Sequence, residues 1–226
     1  MILSGFFEPV FYLFSIGIGI GQLVGDIAVD GGGAISYTAY VAPALLAASV
    51  MNGSVFESTM NIFFKLKYGK IYDAILSTPL KPWDIALGEI GWSLIRGVLY
   101  SVGFMVVMAF MGLLASPWAI MAIPAATVIG FAFGAVGMAA TTFMRSWQDF
   151  DLVTLVSLPL FLFSATLYPL DVYPPAIQVI TQISPLYHGV EVIRALTLGS
   201  FDISLVGHLG FLMAMGTVGL LVAVDD

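Results

Sequence analysis

The sequence predicts an all-α, polytopic membrane protein. It has six transmembrane helices, a cytoplasmic helix between the second and third, and a broken external hairpin between the fifth and sixth. Three observations carry that prediction. Hydrophobic residues make up 60% of the 226 residues, and the mean hydropathy is +1.03. Only 9% of residues are charged, against the ~25% usual in soluble domains, so a soluble fold of this size could not hide its apolar surface. The few charges separate long uncharged stretches at 9–25, 31–56, 97–144, 152–170, 172–190 and 203–224. The same composition excludes disordered and collagen-like chains, and the lack of cysteine excludes a disulfide-stapled scaffold.

A helix crossing the hydrocarbon needs ~20 mostly apolar residues. On that rule the chain is one transmembrane domain, 1–226, with spans at about 6–26, 36–62, 86–115, 118–144, 150–169 and 203–224. The first lacks a basic leader and is interrupted by Glu8-Pro9, so it reads as a mature helix and not as a signal peptide. Its Gly17, Gly19 and Gly21 favour close packing. The second carries Glu57 near its end, where it can pair with Lys65 or Lys67.

The third span carries Glu89 and Arg96, seven residues apart and so on one face. They read as a structural ion pair. The stretch 97–144 is too long for one span and breaks at Ser116-Pro117-Trp118, a turn signal with an interfacial aromatic. Gly130, Gly134 and Gly137 give the fourth span a small-residue face for helix packing. Asp149 and Asp151 read as charges at the start of the fifth helix, since no histidine or cysteine joins them as a catalytic or metal cluster.

The stretch 172–190 is different. It holds Pro174, Pro175 and Pro185, with Gln178, Gln182 and Ser184. Unsatisfied backbone is costly in lipid, so a proline-broken segment suits the interface or a re-entrant hairpin. A seven-span arrangement would use it as a helix and put the C-terminus outside. His188 reads as a structural residue bonded to Glu191, and Glu191 and Arg194 are spaced for an i,i+3 pair. With His208 the only other histidine, no zinc site is expected.

Orientation follows from the basic residues. Lys65, Lys67, Lys70 and Lys81 fall between the second and third spans, and Arg145 between the fourth and fifth. The positive-inside rule makes both connections cytoplasmic, and six spans then put both termini there too. Asp26, Asp30, Asp171 and Asp202 lie outside.

The segment 65–89 is the most informative. Four lysines at membrane depth would cost on the order of 10 kcal/mol, so it lies outside the hydrocarbon. Ile71, Ala74, Ile75 and Thr78 share a helical face, and Thr78-Pro79 ends the helix. From the residues alone two readings stand. One is an interfacial helix resting on anionic headgroups. The other is a docking element for a cytoplasmic partner.

The run Asp73-Ala74-Ile75-Leu76-Ser77-Thr78-Pro79-Leu80, followed by Asp84-Ile85-Ala86-Leu87-Gly88-Glu89, resembles the loop of ABC-2 type transporter permeases. Other pieces resemble that family in order: Glu8-Pro9 with Tyr12-Leu13 and the glycine run 17–21; Tyr40-Val41-Ala42-Pro43-Ala44-Leu45 into Phe56-Glu57; and Ser164-Ala165-Thr166-Leu167-Tyr168-Pro169-Leu170, then Pro174 and Pro185-Leu186-Tyr187-His188. The likeness is greatest to the nodulation-protein J and lipo-oligosaccharide exporter group, with daunorubicin-type drug exporters next.

The resemblance implies a permease subunit in the cell membrane and not an enzyme. The segment 67–80 would be the coupling helix, with Lys67, Lys70, Ile71, Asp73, Ala74, Ile75, Leu76, Thr78 and Pro79 docking on an ATP-binding cassette subunit. Glu57 would add an acidic contact near it, with Glu89 and Arg96 as structural charges. ATP and magnesium belong to that partner, because this chain has no phosphate loop: Gly69-Lys70 is followed by Ile71. A second permease copy and membrane lipid complete the expected partners; nucleic acid is not among them. The implied cargo is amphiphilic, such as a lipid-linked saccharide, a lipid or a hydrophobic drug. The alternative from another class is an ion-coupled secondary transporter or channel. That class is marked by inverted repeats and intramembrane charges, which are not evident here.

Overall fold

The computed structural model describes Phe7, residues 10–29 and residues 33–225. Glu8-Pro9 and Asp30, on which the reading of the first span and its flank drew, lie outside these. The chain is mostly helical. A first helix, α1 (Val10–Val24), leads into a two-stranded antiparallel hairpin, β1 (Asp26–Val29) and β2 (Gly33–Ser36), in which Asp26 pairs with Ser36. The hairpin departs from the all-α expectation, which took this stretch for a loop.

The next helix, α2 (Tyr37–Tyr68), starts where the Ser36 hydroxyl accepts the Ala39 N–H at 3.3 Å. It runs past the expected end at 62. Its turns widen to an i→i+5 pattern over Glu57–Asn61 and again over Phe64–Tyr68. Lys65 and Lys67 therefore ride on the last turns of a helix and not in the connection. The extension is held by Phe63, almost fully buried, whose ring meets Phe150 edge-on at 5.2 Å.

A short helix, α3 (Ile71–Leu76), follows Lys70 in the left-handed conformation. It ends as expected before Pro79, where the Ser77 and Thr78 hydroxyls donate to the carbonyls of Ala74 and Ile75. Its inner face is not the expected one. Tyr72 is buried and Ile75 partly so, while Ile71, Ala74 and Thr78 are exposed. The tyrosine has the largest side chain on the helix. It enters a cluster with Ile62, Ala86 and Ile90, and the helix turns to let it in.

Helix α4 (Pro82–Phe110) opens with proline at its first position, where no N–H is needed, and Asp84 accepts the Lys81 N–H at 2.8 Å. It stops before Gly112, whose φ of +69° suits a turn. Helix α5 (Pro117–Phe143) is capped by Ser116. Helix α6 (Phe150–Leu162) is shorter than the expected 150–169. Beyond Pro159 the chain leaves the helix, and the Ser164 and Thr166 hydroxyls turn back onto the carbonyls of Leu160 and Phe161. Two helices broken at Pro185, α7 (Pro175–Ile183) and α8 (Pro185–Leu198), form a hairpin, and α9 (Ser204–Asp225) closes the bundle.

Among the described residues, four helices are long and apolar enough to cross a membrane: Tyr37–Tyr68, Pro82–Phe110, Pro117–Phe143 and Ser204–Asp225. The first and fifth expected spans are shorter. Helix α5 is the centre of the bundle and touches α2, α4, α8 and α9. Gly137 sits against Ser58 of α2, and Gly216 and Gly219 of α9 lie directly on the α5 backbone at Ala132 and Ala135. Small residues let these axes approach, as lipid-embedded helices require. Helix α6 is the exception, with no buried residue along its length.

Candidate functional site

At the lysine-rich end of the bundle, three helices meet around Glu89. Lys65 of α2 places its ammonium 2.7 and 2.8 Å from the two Glu89 carboxylate oxygens. The Tyr72 hydroxyl of α3 is buried beside the same carboxylate. Burial, and then the negative charge of Glu89, push that phenol above its usual range. Two turns along α2 from Lys65, Arg96 of α4 forms an ion pair with Glu57, and the Asn61 side-chain amide donates to the same Glu57 oxygen, Oε1, at 2.8 Å. Arg96 also lies 5.6 Å from the Trp92 ring.

These pairs correct the expected ones. Glu89 and Arg96 share a face of α4, but two turns of helix hold them ~10 Å apart along the axis. Each therefore bonds across to α2. Glu57 takes Arg96 and not a lysine, and Lys65 goes to Glu89. The two cross-links fix α4 against the widened turns of α2, and Glu89 carries the contact on to α3.

Outside this anchor the short helix is open. Lys67, Lys70, Ile71, Asp73, Ala74, Leu76, Thr78 and Pro79 are all exposed, with only Ile75 partly covered. Between α3 and the start of α4 lies a groove of about 560 Å³, lined by Lys65, Ile75, Leu80, Asp84, Glu89 and Trp92. The residues expected to dock a partner thus form one exposed knob of mixed charged and apolar character. Its root is tied to two of the long apolar helices. Among the described residues, no three histidine, aspartate or glutamate side chains converge to hold a metal.

At the opposite end, two features differ from the sequence reading. The expected Arg194–Glu191 pair is present at 2.7 Å, but Arg194 also donates to the Ala165 carbonyl at 2.8 Å and lies 4.0 Å over the Tyr40 ring. His188 bonds to His208 of α9, with its Nδ1 2.6 Å from the other Nδ1, and not to Glu191. Neither contact has a local spacing signal, since each joins residues on separate elements.

The family model of the ABC-2 type transporter matches residues 1–198. Nodulation protein J of Rhizobium meliloti is 34% identical over 218 residues, covering 96% of this chain and 81% of that protein. Nodulation protein J of Rhizobium leguminosarum bv. viciae is 33% identical over 223 residues, covering 98% and 84%. The inner membrane transport permease YadH of Escherichia coli is 26% identical over 206 residues, covering 89% and 77%.

Proposed function

The chain belongs to the ABC-2 type transporter family, and on that premise we propose that it is the transmembrane subunit of an ATP-driven exporter of an amphiphilic substrate. The single observation that carries this reading is the exposed helix α3, rooted through Tyr72, Glu89 and Lys65 in the ends of α2 and α4. It is the coupling helix, seated in a separate ATP-binding subunit that holds ATP and magnesium. ATP-driven closure of that subunit pushes α3. The Lys65–Glu89 and Glu57–Arg96 links pass the movement to α2 and α4 as rigid bodies.

In this reading the lysine-rich end and both termini are cytoplasmic, and the protein lies in the cell membrane with six spans. Val10–Val24 and Phe150–Leu162 supply the first and fifth. The outward apolar residues of α6, Leu152, Leu155, Val156 and Leu158, suit lipid and a second copy of the chain. The cargo is a lipid-linked saccharide, a lipid or a hydrophobic drug. The name of the transport permease relative agrees with a transport role, and the near absence of mid-span charge suits an amphiphile better than an ion.

The test is purification of the tagged chain from its own membrane in mild detergent. The proposal expects an ATP-binding cassette subunit to purify with it in fixed ratio and the complex to hydrolyse ATP. A chain that purifies without an ATPase, yet transports in response to an ion gradient, contradicts it.

A further inference from the structure

Helix α6 differs from every other long element of this chain. None of its side chains is buried between Phe150 and Leu162, so it is fastened only at its ends. At its start, Phe150 is wedged against Phe63 and Trp147. At its other end, Ser164, Ala165 and Thr166 are buried to 1% exposure or less, although the helix they follow is open. That contrast locates the fastening in three residues.

The Ala165 carbonyl is the point where the elements converge. It accepts Nη2 of Arg194 from α8 at 2.8 Å and the Tyr40 hydroxyl from α2 at 3.5 Å. The Arg194 guanidinium is held from the other side by Glu191 and lies over the Tyr40 ring at 4.0 Å. Ser164 and Ser184 share a 2.6 Å hydrogen bond beside it. Two features set the joint apart from the rest of the bundle. Ala165 sits at φ +52°, a left-handed backbone conformation that disfavours a side-chain Cβ. The Nε of Arg194, a residue only 7% exposed, is buried with no partner among the described residues. A fully satisfied buried network rigidifies a structure, whereas this one joins an acceptor carbonyl on left-handed backbone to a guanidinium with an unmatched N–H, which is costly to bury.

We propose that Arg194 is a latch. It is a positioning residue that fastens the end of α6 to the α7–α8 hairpin and to α2, and α6 shifts against them only when the guanidinium releases the Ala165 carbonyl. The role of that shift in export rests on the permease reading above; the fastening itself does not.

The chain has no cysteine, so two introduced ones report on the joint alone. Leu158→Cys on α6 and Val179→Cys on α7 are both exposed sites for spin labels. Labelled chain, diluted into unlabelled chain without nucleotide, gives the α6–hairpin separation by pulsed electron resonance. The latch predicts one narrow separation with arginine at 194. It predicts a second, longer population in Arg194→Gln, and a smaller one in Arg194→Lys, which keeps the charge but cannot serve Glu191 and Ala165 at once. Tyr40→Leu, which removes the stack and one donor without touching a charge, broadens the separation as well and serves if Arg194→Gln does not fold. Distributions indistinguishable from the parent in both Arg194→Gln and Tyr40→Leu overturn the latch. With the ATP-binding partner present, transport per ATP hydrolysed falls about tenfold in Arg194→Gln, the order expected from losing a charge-assisted hydrogen bond in one of two states. The second separation in the variants, together with no ATP-dependent transport by the parent, leaves the latch standing and removes the permease reading.

Discussion

Lys65 and Glu89, 24 residues apart in the chain, form a two-oxygen ion pair at 2.7 and 2.8 Å that ties the end of α2 to the second turn of α4. Their side chains are 28% and 15% exposed, which places the pair between a solvated and a buried bridge. Its loss costs about 1–2 kcal/mol. Glu89→Gln should lower the thermal unfolding temperature in detergent and speed proteolysis between residues 65 and 82. The exchanged pair Lys65→Glu with Glu89→Lys should recover most of the loss. No recovery in the exchange would show that the two charges do not act on each other.

Arg96 and Glu57 form the second link. A double-mutant cycle on Glu57→Gln and Arg96→Gln should give a coupling of about 1–2 kcal/mol. The same cycle on Glu89 and Arg96 should give a value near zero, because two helical turns separate them. A larger coupling between 89 and 96 than between 57 and 96 would contradict the pairing.

Helix α9 rests on α5 through glycine. A Cβ at Gly219 would stand 2.8 Å from the Val136 nitrogen and 2.9 Å from the Ala135 carbonyl carbon, both backbone and unable to yield. Gly219→Ala should therefore destabilise by about 1–3 kcal/mol as α9 is pushed away. At Gly207, on the same helix, a Cβ meets nothing within 4 Å, and Gly207→Ala should be neutral or slightly stabilising. Thermal unfolding of the two variants side by side decides the point.

Asp149 caps the turn before α6. Its carboxylate accepts the N–H groups of Arg145 at 2.7 Å and Ser146 at 3.0 Å, and these bonds hold its pKa below the usual carboxylate value. A depressed folded pKa means that the contribution is present above the unfolded value of about 4 and is lost as pH falls through the folded one. The stability difference between the parent and Asp149→Asn should be flat from about pH 8 to 5 and shrink toward zero below about pH 4. A difference that grows on acidification would contradict the cap.

Much of the bundle is legible in the sequence because lipid excludes charge so strongly. The uncharged stretches, with the break at Ser116-Pro117-Trp118, place α4, α5 and α9 to within about five residues and the start of α2 to within one, and Pro185 marks the break between α7 and α8. The exposed knob at 67–79 is legible for the same reason. What is not legible is whatever depends on one element meeting another. Helical spacing puts Glu89 and Arg96 on one face but does not say that α2 passes beside it with Glu57 and Lys65. The aliphatic periodicity of α3 points to Ile71, Ala74 and Ile75 and not to Tyr72, which is the buried residue. The size of a neighbouring hole decides which side turns inward. Arg194 had a local partner in Glu191, and that satisfied pairing hid the contacts with Tyr40 and Ala165. The strands on either side of residues 30–32 had a cue, a glycine run between two short apolar segments, but their place beside a span drew the reading toward a loop.

The central claim is that α3 couples a separate ATPase to movement of α2 and α4. The most direct measurement is ATP hydrolysis and export of a fluorescent amphiphile, recorded together in vesicles containing the chain and its ATP-binding subunit. The comparison is between the parent and Asp73→Ala with Ile75→Ala. In the double variant insertion should be normal and ATP hydrolysis should continue while export is lost. Export per ATP unchanged from the parent would contradict the claim.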